Sequence, residues 1–186
     1  MKRIAVLGLT LAVASLVDTP LAVAQSLDIG VGAGVSKTQD DANTINLTNT
    51  LYLTGNLRLG GGKLVLEPEI GYWSKSLSIG GLNVSASDLN YGANLLLVIP
   101  AGGSSDLFGG IGGGAHTLKG TFQIPGLATA TNSETKFGWD YLVGLEIKVG
   151  KSAKIFGAFR KDSVHTDVMN DNLQETKFYG GLRFHL

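Results

Sequence analysis

The chain has 186 residues, enough for one domain; 44% are hydrophobic, only 16% are charged, and the 27 glycines are about twice ordinary usage. Lys plus Arg and Asp plus Glu both number 15, so there is no cationic excess to neutralise a phosphate backbone, and no nucleic-acid partner is expected. The absence of cysteine excludes a disulfide framework, thiolate metal sites and cysteine nucleophiles.

Residues 1–24 read as a cleaved export signal. Lys2 and Arg3 supply the positive start, Ile4 to Val17 is an apolar run, and Ala22-Val23-Ala24 gives a small-residue cleavage pattern before Gln25. A membrane-spanning helix needs roughly 20 apolar residues, and Asp18 and Pro20 end this run too early. One domain, 25–186, remains.

From Leu27 onward the chain alternates with period two. Leu27, Ile29, Val31, Ala33 and Val35 are separated by Asp28, Gly30, Gly32, Gly34 and Ser36, which is a strand signature. The pattern recurs over 51–59 and 64–73, then over 88–99, 106–117, 136–148, 153–162 and 177–186. That makes eight strands, with no stretch at helical spacing long enough for a stable helix. Pro68, which cannot donate to a ladder, predicts a bulge or local irregularity in the third strand.

Connections alternate in length. Gly60-Gly61-Gly62, Pro100 to Ser105 and Val149 to Ser152 are tight, whereas 37–48, 75–87, 118–135 and 163–176 read as long polar loops. An antiparallel up-and-down arrangement gathers the short turns at one end and the long loops at the other, as in transmembrane β-barrels. Alternation also suits a soluble barrel turned inside out. The aromatics separate the two: Tyr72, Tyr91, Phe137, Trp139 and Phe178 all fall on the apolar face toward the long-loop end, as an interfacial girdle would.

The other face carries Asp28, Arg58, Glu67, Glu69, Asp140, Glu146, Lys148 and Arg183, with Arg160 assigned to it from a strand of ambiguous phase. Eight strands enclose a space that side chains fill. Charges removed from water there cost several kcal/mol each unless paired, so Asp28, Arg58, Glu67, Glu69, Asp140, Glu146, Arg160 and Arg183 are expected to form a lumenal ion-pair network.

Four stretches carry a resemblance to a known family. They are Leu27-Asp28-Ile29-Gly30-Val31-Gly32-Ala33-Gly34, Pro68-Glu69-Ile70-Gly71-Tyr72, Leu107-Phe108-Gly109-Gly110-Ile111-Gly112-Gly113-Gly114, and Tyr179-Gly180-Gly181-Leu182-Arg183-Phe184-His185-Leu186. From about residue 26 to 186 the chain resembles the eight-stranded outer-membrane barrels of the outer membrane protein A and outer membrane protein X type. The resemblance implies an all-β, eight-stranded antiparallel up-and-down transmembrane barrel in the bacterial outer membrane. It also implies contact with outer-membrane lipid and lipopolysaccharide, and recognition of the terminal strand by the barrel assembly machinery. The chain departs from the family's terminal pattern by ending on Leu186, with Phe184 two places earlier.

The expected function is that of a surface structural or adhesion protein acting through its loops. Phe122, Ile124 and Leu127 lie in a stretch more apolar than a solvated loop requires and are candidate contacts for an extracellular ligand or host surface. A small-solute or ion channel is the second class and a lipid-modifying enzyme the third. For the last, Ser163, His165 and Asp167 share one face of an extended segment, but parallel side chains seldom form the serine-to-histidine hydrogen bond that a triad requires. The chain is read as a non-enzyme. His116, His165 and His185 are scattered without metal-ligand spacing, and no metal or cofactor is expected.

Overall fold

The computed structural model describes residues 26–40, 46–60, 62–79, 82–123, 129–166 and 171–186. The export signal read at 1–24 lies outside them. Eight strands follow in chain order: β1 (Leu27–Asp40), β2 (Asn46–Leu59), β3 (Leu64–Ile79), β4 (Leu82–Gly102), β5 (Ser105–Gln123), β6 (Thr129–Val149), β7 (Ala153–Thr166) and β8 (Asp171–His185). Each pairs antiparallel with its neighbour, and β8 returns to β1 to close a barrel. Closure runs from Asp28↔His185 to Asp40↔Leu173, and the Leu186 N–H donates to the Leu27 carbonyl at 3.0 Å. Among the described residues there is no helix.

The direction of the alternation decides what kind of barrel this is. Leucine and valine rows point outward, with Ile111 69% and Val31 56% exposed, while Glu67, Glu146, Arg160 and Arg183 are buried inside. A water-soluble barrel reverses this arrangement. Exposed apolar rows with a polar interior match the outward band that faces lipid, where a closed ring leaves no unpaired backbone.

The β2–β3, β4–β5 and β6–β7 connections share one end with the start of β1 and the close of β8. Gly103 (φ 60°) and Gly150 (φ 73°) take left-handed conformations that other residues rarely adopt. At the far end the expected long loops are largely strand. β4, β5 and β6 extend over 82–102, 105–123 and 129–149, so 75–87 and 118–135 are mostly continuations of the ladders. Serine and threonine dominate those stretches and read as loop formers, yet cross-strand pairing accommodates them well. At Pro68 the expected irregularity takes the form of a gap: β2–β3 pairing runs from Tyr52↔Trp73 to Asn56↔Glu69 and resumes at Leu59↔Leu66 in the same register, so the ladder is interrupted without a bulge, while register shifts lie at Ser36/Thr38 and Pro100/Gly102.

Two glycine pairs set how closely strands approach on the inner face. Gly92 faces Gly114 across β4–β5, and a Cβ added to either would fall within 2.8 Å of the other's Cα. Gly181 faces Gly32 across the β1–β8 seam, where a Cβ on Gly181 would fall 2.6 Å from the Gly32 Cα. A side chain at Gly92, Gly114 or Gly181 would collide with backbone, which cannot step aside as a flexible side chain would. Gly114→Val is therefore expected to abolish most of the folded, heat-modifiable band on a gel of refolded protein. Gly120→Val, further along β5 with nothing within 4 Å, should leave that band at wild-type intensity.

Candidate functional site

The lumen is filled in three layers. Nearest the short turns lies a cluster of three cations and three carboxylates. Arg58 reaches Glu67 (2.9 Å) and Glu146 (2.7 Å); Arg183 contacts the same two acids, at 2.8 Å to Glu67. Lys154 bridges Asp28 (3.0 Å) and Glu146 (3.1 Å), and His185 Nδ1 lies 2.7 Å from Asp28. The Arg183 guanidinium also donates to Asn56 Oδ1. Below this cluster a vestibule of about 610 Å³ opens at the short-turn mouth, where Lys148 stands 3.5 Å from Asp106 on the rim.

Aromatic rings cover the cluster from above. Arg58 and Arg183 stack over Phe108, and Arg183 also over Phe156, at 4.7 to 5.8 Å from the ring centres. Phe156 meets Tyr179 edge to face, and Tyr179 meets Tyr52 in the same way. With Leu96 and Leu142, both fully buried, these rings form an apolar floor across the barrel.

Above that floor lies the second polar layer. Arg160 contacts Glu69, Asp140 (2.9 Å) and Asp162 (2.8 Å). Lys177, wholly buried, lies 3.1 Å from Asp162 and 2.8 Å from Glu175, over the face of Tyr52. Tyr52 Oη donates to Glu69, Trp73 Nε1 donates to Glu175 at 2.9 Å, and His116 Nδ1 faces Asp88 at 2.8 Å.

All eight candidate residues of the network (Asp28, Arg58, Glu67, Glu69, Asp140, Glu146, Arg160 and Arg183) are buried and face inward. The structure divides them: Asp28, Arg58, Glu67, Glu146 and Arg183 join the lower cluster, and Glu69, Asp140 and Arg160 the upper. Sequence reasoning missed Lys154, Asp162, Glu175, Lys177, Asp88, His116 and the tyrosines. The signal for Asp162, Glu175 and Lys177 was present, since all three continue the inward parity of Arg160 and Arg183, the first two through stretches read as ambiguous strand or loop and Lys177 within the strand read over 177–186.

On the outer face Tyr72, Tyr91, Phe137, Trp139 and Phe178 all point away from the lumen and are exposed. Trp139, Tyr141, Phe159 and Phe178 form a continuous chain of ring contacts across β6, β7 and β8, with centroids 4.9 to 6.4 Å apart.

Beyond the barrel mouth, β3 to β6 continue as a four-stranded sheet. The β2–β3 ladder stops at Tyr52↔Trp73 and the β6–β7 ladder at Gly138↔Val164, so among the described residues 74–79 and 129–135 form edges with no ladder partner beyond β3 and β6. Here the faces exchange character. Leu77, Val84, Phe122 and Ala130 make an apolar row across the inner face of all four strands, while Ser76, Ser85, Thr121 and Thr131 cross the outer face behind it. Leu77 and Phe122 are about two-fifths exposed. The other loop candidates, Ile124 and Leu127, lie outside the described residues, as does Asp167. Ser163 and His165 point outward from β7, and His165 Nδ1 lies 3.2 Å from Asn172 Oδ1.

The two polar layers differ in redundancy, and that difference is measurable. Arg160→Ala leaves buried Asp140 without its cation and Glu69 with only the Tyr52 hydroxyl, while Asp162 keeps Lys177, a loss of about 3–5 kcal/mol. Arg58→Ala leaves Glu67 and Glu146 on Arg183 and Lys154 and is expected to cost much less. Urea midpoints for reversible unfolding in detergent micelles give the comparison, and equal losses would contradict the layered arrangement.

Comparison with known proteins agrees with this architecture. The family model described as "Outer membrane protein beta-barrel domain" matches residues 7–185. No curated protein sequence matches the chain. Among solved structures, Neisserial surface protein A is similar with a TM-score of 0.65 at 11% identity, covering 85% of this chain and 96% of that one. A major outer membrane protein of Thermus thermophilus gives 0.62 at 12% identity, covering 88% and 100%. The attachment invasion locus protein Ail of Yersinia pestis, solved with the heparin analogue sucrose octasulfate, gives 0.60 at 14% identity, covering 86% and 99%. The chain belongs to the outer membrane protein beta-barrel domain family and is an eight-stranded barrel of the bacterial outer membrane.

Proposed function

We propose that this protein is a surface interaction protein that engages an extracellular protein partner through the β3–β6 sheet standing above the membrane. The observation that carries the reading is the apolar row Leu77, Val84, Phe122 and Ala130, flanked by strand edges at 74–79 and 129–135 that have no ladder partner among the described residues. Such edges offer backbone donors and acceptors to an extended segment, and the apolar row offers area for its side chains to bury. The aromatic chain on the outer face would set the sheet's height above the headgroups. Outer-membrane lipid and lipopolysaccharide surround such a barrel, and its terminal strand serves the assembly machinery.

Ail was solved with a sulfated ligand, but this sheet offers little to attract polyanions. Lys75, Lys119 and Lys136 are spread over it with Glu134, among serines and threonines, and do not form one cationic cluster.

A small-solute channel is the weaker reading, because two paired charge layers and an aromatic floor occupy the lumen. A lipid-modifying enzyme is the third reading: Ser163 and His165 face outward, where a lipid would lie, but His165 Nδ1 lies against Asn172 Oδ1 and not against the serine.

The test uses cells displaying the protein and scored for attachment to host cells and matrix proteins. Leu77→Ser combined with Phe122→Ser should lower attachment about tenfold, with unchanged surface display and folded gel mobility. Attachment equal to wild type in the double variant would refute the sheet as the binding surface. Planar-bilayer recordings of the wild type should show no steady openings; persistent openings altered by Arg160→Ala would favour the channel.

A further inference from the structure

The two charge layers differ in their balance. In the lower one Asp28, Glu67 and Glu146 meet Arg58, Lys154 and Arg183, three against three. The upper one holds five buried carboxylates, Glu69, Asp88, Asp140, Asp162 and Glu175, against Arg160 and Lys177. Lys136, half-buried and the inward neighbour of His116 on the β5–β6 ladder, adds a third cation, while Asp40 lies nearer the mouth with contacts of its own. Negative charge is left over in this buried layer. Unpaired buried carboxylates are strongly disfavoured, so such a layer draws in positive charge.

The surplus gathers at one point. Ligand atoms of Asp88, His116 and Glu175 all lie within 4.8 Å of one another, and all three residues are buried. Asp88 Oδ1 is buried with no hydrogen-bond partner. Trp73 Nε1 holds Glu175 by one oxygen, as outer partners hold ligating carboxylates elsewhere. The His116 ring occupies room that Gly138 leaves empty, since a Cβ there would fall 2.9–3.0 Å from its Cδ2 and Nε2.

We infer that Asp88, His116 and Glu175 form a binding site for one divalent transition-metal ion, of the zinc or cobalt class, in the outer half of the lumen. One imidazole nitrogen and two carboxylates suit such an ion at bonds of about 2.0–2.2 Å, which set the ligands of one ion roughly 3–3.5 Å apart. Small side-chain movements reach that spacing: His116 and Asp88, now 2.8 Å apart, separate slightly, and Glu175 closes in. A carboxylate oxygen keeps a second lone pair while accepting a hydrogen bond, so Trp73 and Lys177 stay on Glu175. The ion displaces the proton between His116 and Asp88, which leaves for solvent, keeps the imidazole neutral, and offsets the layer's surplus negative charge.

Metal-free protein refolded in micelles is titrated with Co²⁺ and followed by visible absorption, with Zn²⁺ as competitor and metal content checked after gel filtration. One equivalent of Co²⁺ should bind, be displaced by Zn²⁺, and raise the temperature at which the folded gel band is lost. His116→Gln and Asp88→Asn should each weaken binding about tenfold or more, whereas His165→Gln, on the outer face, should bind as wild type. Glu175→Gln serves as a third variant should one of the others fail to give the folded band. Absence of stoichiometric uptake by the wild type, or undiminished uptake by folded His116→Gln, would overturn the site and leave His116 and Asp88 as a simple ion pair.

Discussion

The fold depends on charges that have nowhere to go. Closing eight strands makes a ring whose interior side chains must fill, and half of every strand points into it. Leu, Val and Ile take the lipid side, so the inward half is left to polar residues and glycine, and each ionised group there must meet its opposite. Arg58 and Arg183 gripping the same two glutamates, and Arg160 holding three carboxylates, are the outcome. Because these contacts join β2, β3, β6, β7 and β8 through the lumen, they tie together strands that share no ladder. Backbone pairing closes the ring, and the guanidiniums brace it from within.

The aromatic floor gives the interior its second property. Phe108 and Phe156 lie against the arginines below while Tyr52 lies against Lys177 above, so the rings act as neighbours to charge on both sides. An apolar partition between two polar clusters lets each settle its own electrostatics. This is why one can be neutral and redundant while the other carries an excess of acid.

Most of the barrel was legible because period-two alternation is a direct imprint of a sheet with unlike faces. Val31, Leu53 and Ile111 against Asp28, Arg58 and Glu67 state the outward and inward sides without ambiguity. Legibility failed where that contrast fades. Above the membrane both faces meet water or each other, so Leu118 to Gln123 and Thr129 to Thr135 carry no steady contrast and read as loops although they are paired strand. Asp162, Glu175 and Lys177 went unrecognised because they sit where the seventh and eighth strands approach that boundary. Asp88 and His116, 28 residues apart, meet through the β4–β5 register, and β8 supplies Glu175; no local spacing encodes such a meeting.

The seam between β1 and β8 has a consequence for how the molecule is made. The first strand to be synthesised finds its second neighbour only in the last, so every intermediate along the way has two open borders and an interior still accessible to water. Lys177 and Arg183, on β8, are also what completes each charged layer. Shape and electrostatics therefore reach their final state in a single late event, and a chain halted before that event would hold neither.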